Sequence, residues 1–507
     1  MLSVIKSYAL HGIEGYSVDI EVDSQAGIAN FTVVGLPGSG IKEARNRVFS
    51  AIKNSGYDFC PKRITVNLAP ADTKKEGSIY DFPIAVGFLA STGQLPPVDF
   101  SEYVLIGELS LDGGLRRANG IMPILISAYQ NGFKKFIIPY ENASEASFIE
   151  GVKCYPAKNL SEATAFLSGI YDIKPVAHRT YSASSQGYKY DIDLADVKGQ
   201  TVAKRALEIA VAGGHNMLLS GVPGAGKTML AKCVPAIMPE MTFEEAIETT
   251  KIHSVSGLLD LSEGIISRRP FRSPHHTATL ISFTGGGNKS LPGEVSLANN
   301  GVLFLDEMPE YNKKVLESLR QPLEDGVISV SRVLRSVEYP ARFMMIASMN
   351  PCPCGYLGST QKPCVCTENE KRNYRTRISG PLLDRIDIHA EVDGVEYSDL
   401  RSSVKAETSL EVKSRVTLAR EIQLNRFKGT NIFCNAQMNA KSTTQFCKLN
   451  KECETILEFA YKKFSLSARG AGRILKLART IADLSAREEI SVEDIAEAIQ
   501  YRVKSEE

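Results

Sequence analysis

The sequence predicts an α/β protein in three parts, and three observations carry that reading. A glycine-rich turn at 221–228 stands between an apolar strand and a helix. The first 170 residues alternate short β-branched runs with helical patterns. Beyond residue 395 helical periodicity continues with no strong strand. The chain has 507 residues, which at about 100–200 residues per domain fits three domains. Charged residues make up 23% and apolar ones 43%, an ordinary globular balance that excludes wholesale disorder and a coiled coil. No apolar run reaches the roughly 18 residues of a membrane span. The first residues lack a basic stretch leading into an apolar core, so a cytoplasmic protein without a membrane partner is expected. Lys+Arg and Asp+Glu number 59 and 58, so any nucleic-acid contact must be local.

In the first part, residues 1–170, the runs Ser17–Glu21, Phe31–Val34, Ile64–Leu68, Val104–Ile106 and Phe136–Ile138 read as strands. Ile41–Ser55, Phe82–Thr92 and Met122–Asn131 read as helices, the last two with Pro near the first turn. Residues 171–190 carry Tyr, Ser and Lys without apolar periodicity and read as a linker. In the second part, 191–395, a helix over Gln200–Ala212 leads to a buried strand, Asn216–Ser220. Gly301–Leu305 and Phe343–Ser348 add strands to a parallel sheet. In the third part, 396–507, Ser414–Phe427, Lys451–Phe464, Gly472–Ala486 and Val492–Arg502 are helical and predict an α-helical lid.

The chemistry gathers in the middle. Gly221-Val222-Pro223-Gly224-Ala225-Gly226-Lys227-Thr228 fits G-x-x-x-x-G-K-[ST] with a strand before and a helix after. Its glycines let backbone N–H groups face phosphates, Lys227 would reach the β- and γ-phosphates of ATP, and Thr228 would bind Mg²⁺. Val302–Leu305 is apolar and runs into Asp306-Glu307, which places two carboxylates at the sheet's C-terminal edge. Asp306 is expected on Mg²⁺, and Glu307 is expected to orient and deprotonate the attacking water.

These residues, with Ala347-Ser348-Met349-Asn350 on the third strand, resemble the AAA+ ATPases. The resemblance implies that Asn350 is the sensor of the hydrolytic water. Leu382-Leu383-Asp384-Arg385-Ile386-Asp387 is similar to the arginine-finger segment of the magnesium-chelatase and MCM-helicase branch, which assigns Arg385 to a neighbouring subunit's γ-phosphate. Ser467–Arg473 is similar to the second sensor, with Arg469 favoured by register and Arg473 close behind. Asp196–Gln200 resembles the segment near adenine, which puts Gln200 at the nucleotide.

More narrowly, Arg269–His276, Leu291–Ala298 and Leu319–Gly326 resemble the magnesium-chelatase-like ComM/YifB family over nearly the whole chain. That resemblance implies a Lon-protease-like α/β domain at the N-terminus, a central AAA+ P-loop domain and the helical lid. It further implies a homohexameric DNA motor in branch migration during natural transformation. Lon-type proteolysis needs a Ser–Lys dyad. Ile79 stands at the serine's place, with Ser78 one position away, and Met122 stands at the lysine's, so a proteolytically inactive domain is expected.

Three further features carry more than one reading. Cys352, Cys354, Cys364 and Cys366, four of ten cysteines, make C-x-C-x9-C-x-C. Four thiolates suit structural Zn²⁺, although C-x-C is tighter than the commoner C-x-x-C; the other reading is reduced thiols in a loop. Adjacent His275 and His276 lack a carboxylate partner and read as a contact loop rather than a metal site. Between Glu324 and Arg342 two alternating runs predict a hairpin whose tip carries Arg332 and Arg335. In a pore these would meet the phosphates of DNA, single-stranded or branched. The alternative is a solvated hairpin on a chaperone-like ATPase that remodels a protein partner.

Overall fold

The computed structural model describes residues 1–58, 62–183, 191–260, 262–287, 290–332, 335–359, 362–394, 406–430 and 432–502, with backbone alone at 39, 42, 331, 332 and 335. The chain forms two compact units, Met1–Ser182 with Phe243–Ile266, and Ala183–Thr242 with Ser267–Glu507. One segment therefore departs from the chain-order division: Phe243–Ile266, read as part of the second domain, lies in the first unit. The expected boundary at 395/396 and residues 184–190 of the expected linker lie outside the described residues.

The first unit is built on a seven-stranded mixed sheet. Its strands are β1 (Leu2–His11), β2 (Glu14–Gln25), β3 (Asn30–Val34), β4 (Arg63–Ala69), β5 (Tyr103–Leu105), β6 (Lys135–Pro139) and β7 (Lys153–Ala157), in the order β3-β4-β2-β1-β5-β6-β7. Alternate residues feed two cores, as opposite faces of a sheet require. Leu105 and Ile137 join one apolar cluster; Val104, Ile106, Phe136 and Ile138 join the other. Helix α1 (Ser39–Asn54) and the wholly buried α2 (Asp81–Ser91) pack into the first cluster, and α3 (Ile121–Gln130) packs into the second.

Two strands of this sheet were not expected. On β1 the inward face carries Ser3 and Ser7 beside Ile5 and Ala9, while Leu2 and Val4 face out. The inward serines donate to the Gly87 carbonyl at 2.7 Å and to Leu105 at 2.9 Å, so burial costs them no hydrogen bond. On β7, Pro156 argues against a strand; it is tolerated because β7 is an edge.

The helix Phe243–Ser256 docks on α3 through polar atoms. The Gly120 amide donates to Ser254 Oγ at 3.0 Å, and Ser254 donates to the buried Glu145 carboxylate, which also accepts from the Met122 amide at 2.9 Å. Burial raises Glu145 above the ordinary carboxyl range against these donors.

The second unit holds a five-stranded parallel sheet. Its strands are β8 (Met217–Gly221), β9 (Phe271–Arg272), β10 (Val302–Leu305), β13 (Met344–Met349) and β14 (Ile388–Val392), in the order β9-β10-β13-β8-β14. Between β10 and β13 lies the hairpin of β11 (Val327–Arg332) and β12 (Arg335–Pro340), whose register pairs Arg332 with Arg335. Helix α4 (Thr201–Gly213) precedes β8, and α5 (Lys227–Lys232) follows it. The C-terminal helices are α6 (Ser409–Arg426), α7 (Lys451–Lys463), α8 (Ala468–Leu484) and α9 (Val492–Gln500). Helix α6 begins earlier than its apolar pattern because Thr408 and Glu411 form a capping box. These helices do not make a separate core: Val412, Val416, Ile474, Leu477 and Ile495 share one cluster with Met217, Val302 and Ile346 of the sheet. Among the described residues no helix is long and apolar enough to cross a membrane.

Candidate functional site

The site lies at the C-terminal ends of β8, β10 and β13, where a parallel sheet delivers its side chains. After β8 the chain turns through Gly224 at φ +79° and Gly226 at φ +92°, conformations that favour glycine. A Cβ on either would meet nothing within 4 Å, so conformation rather than packing selects glycine there and the turn keeps an open cradle. Lys227 is buried at the start of α5, and its ammonium donates to the carbonyls of Gly221 at 2.6 Å and Val222 at 3.0 Å, and to Asn350 Oδ1 at 3.1 Å. Burial pulls this ammonium below its ordinary range, against the opposing pull of Asp306 and Glu307. Ala225 is buried, whereas Pro223 is exposed on the rim.

Thr228 donates to Asp306 Oδ2 at 3.0 Å. A hydroxyl and a carboxylate side by side are hard oxygen donors of the kind Mg²⁺ takes. The other Asp306 oxygen accepts from Ser348 Oγ at 2.5 Å, and the same hydroxyl accepts from the Glu307 amide at 3.0 Å. Glu307 sits at φ +51°, a strained backbone for a non-glycine residue, with its side chain exposed. Ser348 was not singled out from sequence. The signal was there: it is a polar residue on the entirely buried β13.

Gln200, at φ +60°, donates to Asp393 O at 2.5 Å and to Ala225 O at 3.5 Å, beside the glycine turn. Arg385 is held within the chain, ion-paired to Glu324 and donating to Pro381 O at 2.8 Å. Arg469 reaches the same Glu324 at 3.9 Å and is 71% exposed. Arg473 differs from Arg469: it is ion-paired to Asp387 in a buried network. There His215 Nδ1 lies 3.2 Å from Asp387 Oδ2, and its Nε2 lies 2.9 Å from Thr480 Oγ1. Burial works against the Asp387 charge, but the His215 hydrogen bond and the Arg473 guanidinium hold its carboxyl well below the usual range. Burial lowers the affinity of His215 for a second proton, against the opposing pull of Asp387. Apart from its Glu324 contact Arg469 is thus exposed, whereas Arg473 is tied to Asp387.

The four cysteines converge. Their sulfurs all lie within 4.8 Å of one another, with Cys352–Cys354 at 3.4 Å and Cys352–Cys364 and Cys354–Cys364 at 3.6 Å. His275 and His276 lie with ring centroids 4.1 Å apart, His275 bonds Thr277 at 2.8 Å, and among the described residues they join no group of three metal-binding side chains. The segments around them are structural ties: Arg272 forks onto Glu294 at 2.6 and 2.7 Å, and Arg269 donates to the carbonyls of Pro239 and Asn300. The side chains of Arg332 and Arg335 lie outside the described residues; their backbones flank the hairpin turn. In the first unit, Ile79 packs against the apolar cluster that contains Met122, and Ser78 donates to Glu108. Lys75 donates to the Pro70 carbonyl.

Comparison with known proteins gives a consistent picture. The family model for magnesium chelatase, subunit ChlI, matches residues 193–400, and that for its C-terminal region matches 406–502. A further model, subunit ChlI of Mg-chelatase, matches 20–142. The chain is 43% identical to the competence protein ComM of Haemophilus influenzae, over 99% of its own length and 97% of the relative's. It is 42% identical to YifB of Escherichia coli over the same shares. The magnesium-chelatase subunit ChlI of Cyanophora paradoxa is 25% identical over 43% of this chain and 56% of its own.

Proposed function

This chain belongs to the magnesium-chelatase-like ComM/YifB family, and from that premise we propose that it is an ATP-hydrolysing AAA+ ring motor acting on DNA. Its work in this reading is branch migration during DNA uptake and recombination, in the cytoplasm and as a homohexamer. The observation that carries the ATPase part is a pair of hydrogen-bonded sets starting from adjacent residues, Lys227 with Asn350 and Thr228 with Asp306, Ser348 and Glu307. The backbone amides of 224–228 bind the phosphates, and Lys227 exchanges its carbonyl partners for phosphate oxygens. Thr228 and Asp306 would hold Mg²⁺, which when bound offsets phosphate charge. Glu307 orients the attacking water and accepts its proton, and Asn350, tethered to Lys227, aligns that water from the neighbouring strand. Arg385 reaches the γ-phosphate of the next subunit after leaving Glu324, and Arg469 closes on the nucleotide in its own subunit.

The DNA part is supported by the hairpin with Arg332 and Arg335 beside its turn, and by a relative named for competence. The test is the ratio of ATPase rate with DNA (single-stranded, duplex or branched) to the rate without. A DNA motor is stimulated. Arg332→Ala with Arg335→Ala should lower that ratio and weaken DNA binding across sequences. The slope of log affinity against log salt should fall by about 0.7–0.9 for each phosphate that the variant no longer neutralises. A wild-type rate indifferent to every DNA would favour a remodelling ATPase with a protein partner.

A further inference from the structure

We propose that Cys352, Cys354, Cys364 and Cys366 form a zinc centre that clamps the phosphate loop, so that metal and nucleotide binding reinforce each other. The spacing is that of a shared ion. Four sulfurs about 2.3 Å from a tetrahedral zinc stand about 3.8 Å apart, whereas a disulfide needs about 2.05 Å. The separations among Cys352, Cys354 and Cys364, 3.4–3.6 Å, close slightly on a centre that a metal would open, and the Cys366 sulfur lies within 4.8 Å of the other three. Thiolates are soft donors and select zinc over the hard cation of the phosphate site.

The surroundings suit the charge of such a centre. The Cys354 amide donates to Cys366 Sγ at 3.3 Å, and the backbones of Tyr356 and Val365 lie beside the Cys354 thiol. Lys371, held by Glu368 at 2.7 Å, stands within electrostatic reach of Cys352 and Cys364.

Placement gives the centre its consequence. The chain leaves β13 at Met349, passes Asn350, and enters the cluster at Cys352. Gly355, at φ +84°, touches the phosphate loop: a Cβ there would lie 2.7 Å from Cγ and Cδ of Pro223. On the way out, Cys366 precedes Thr367, which caps the helix Glu368–Arg375. The Tyr374 hydroxyl of that helix lies beside the Asn350 backbone. Both stems of the loop therefore bear on Asn350, and its turn bears on Pro223. A metal that ties the stems together removes freedom from the residues around the phosphates, and linkage makes the effect mutual.

This inference rests on reading Lys227 and Asn350 as nucleotide-site residues, so the experiment separates the two. Full-length protein prepared without chelators is assayed for zinc, and cobalt is exchanged in to look for thiolate-to-metal charge-transfer absorption. About one zinc per chain and a tetrahedral thiolate spectrum are expected. Stripping the metal under reducing conditions should weaken binding of a fluorescent ATP analogue about 5- to 150-fold, the usual range for coupled sites. The analogue should raise zinc affinity by the same factor. Cys364→Ser should lose both metal and affinity, whereas Cys364→His, which supplies another zinc ligand, should keep both. Absence of zinc and of the cobalt spectrum overturns the centre, as does iron in its place. Unchanged analogue affinity after stripping overturns the clamp. If zinc-loaded protein binds no analogue, the ATPase reading fails and takes the clamp with it, while the cobalt spectrum still reports on the metal.

Discussion

Replacing Ser348 by alanine removes one hydroxyl that serves both acidic residues of the site. Its bond to Asp306 is short, at 2.5 Å, and partly buried, and a hydrogen bond to a charged group contributes about 1.5–3 kcal/mol. Its second bond, to the Glu307 amide at 3.0 Å, holds a residue at φ +51° whose strain is about 1–3 kcal/mol. Freed of that bond, the Glu307 backbone can relax and swing its carboxylate away from the attacking water. If the loss of the Asp306 bond is felt fully in the transition state, kcat falls roughly 10- to 150-fold, at 1.36 kcal/mol per tenfold. Nucleotide affinity should change little, because Lys227 and the glycine turn are untouched. The assay is steady-state phosphate release across ATP concentrations, with the melting curve as a check on folding. Ser348→Thr keeps the hydroxyl and should recover most of the rate, at a packing cost of about 1–3 kcal/mol. A kcat for Ser348→Ala within about twofold of wild type, in folded protein, would refute the positioning role.

Glu307→Gln should bind ATP and turn it over slowly, and Arg385→Ala should be inactive alone. Mixed, the two should regain activity where an intact Glu307 and an intact Arg385 face one site, and mixed rings that regain none would remove Arg385 from the neighbour's nucleotide. His215 gives a pH dependence with a definite sign. Its folded pKa lies below the ordinary value of about 6.5, so as pH falls below 6.5 the unfolded chain takes up a proton that the folded chain refuses. Stability is therefore present above that pH and drains below it, by up to about 1.4 kcal/mol per pH unit. Melting temperatures between pH 7.5 and 5.5 should show this slope, and His215→Gln should flatten it.

The phosphate loop and the Asp306-Glu307 pair were legible because their chemistry is local: glycine, lysine, threonine and two acids lie on short stretches with a clear strand or helix beside them. The rest depended on neighbours that sequence spacing hides. Ser348 acts across the gap between β13 and β10, and no periodicity links it to Glu307. Arg469 and Arg473 share one helix face, and it is Asp387, 86 positions from Arg473, that sets their surroundings apart. Strand β1 escaped because its buried face carries serines satisfied by distant carbonyls, and β7 because it contains proline. Strand β9 has two residues, too few for any period to register. The helix Phe243–Ser256 belongs to the first unit, yet it buries Thr249, Thr250, His253 and Ser254, a set that no hydrophobic pattern singles out.

That helix changes how the first unit can be removed. The chain passes between units after Ser182, again after Thr242 and again after Ile266, so a deletion of the first 182 residues does not excise a unit. It strands a fourteen-residue helix without the Gly120 and Glu145 partners that satisfy Ser254. A truncated protein that aggregates or loses ATPase would then report an orphaned helix rather than a role for the missing sheet. A clean dissection replaces 243–266 with a short glycine-serine bridge at the same time, so that both pieces of the first unit leave together.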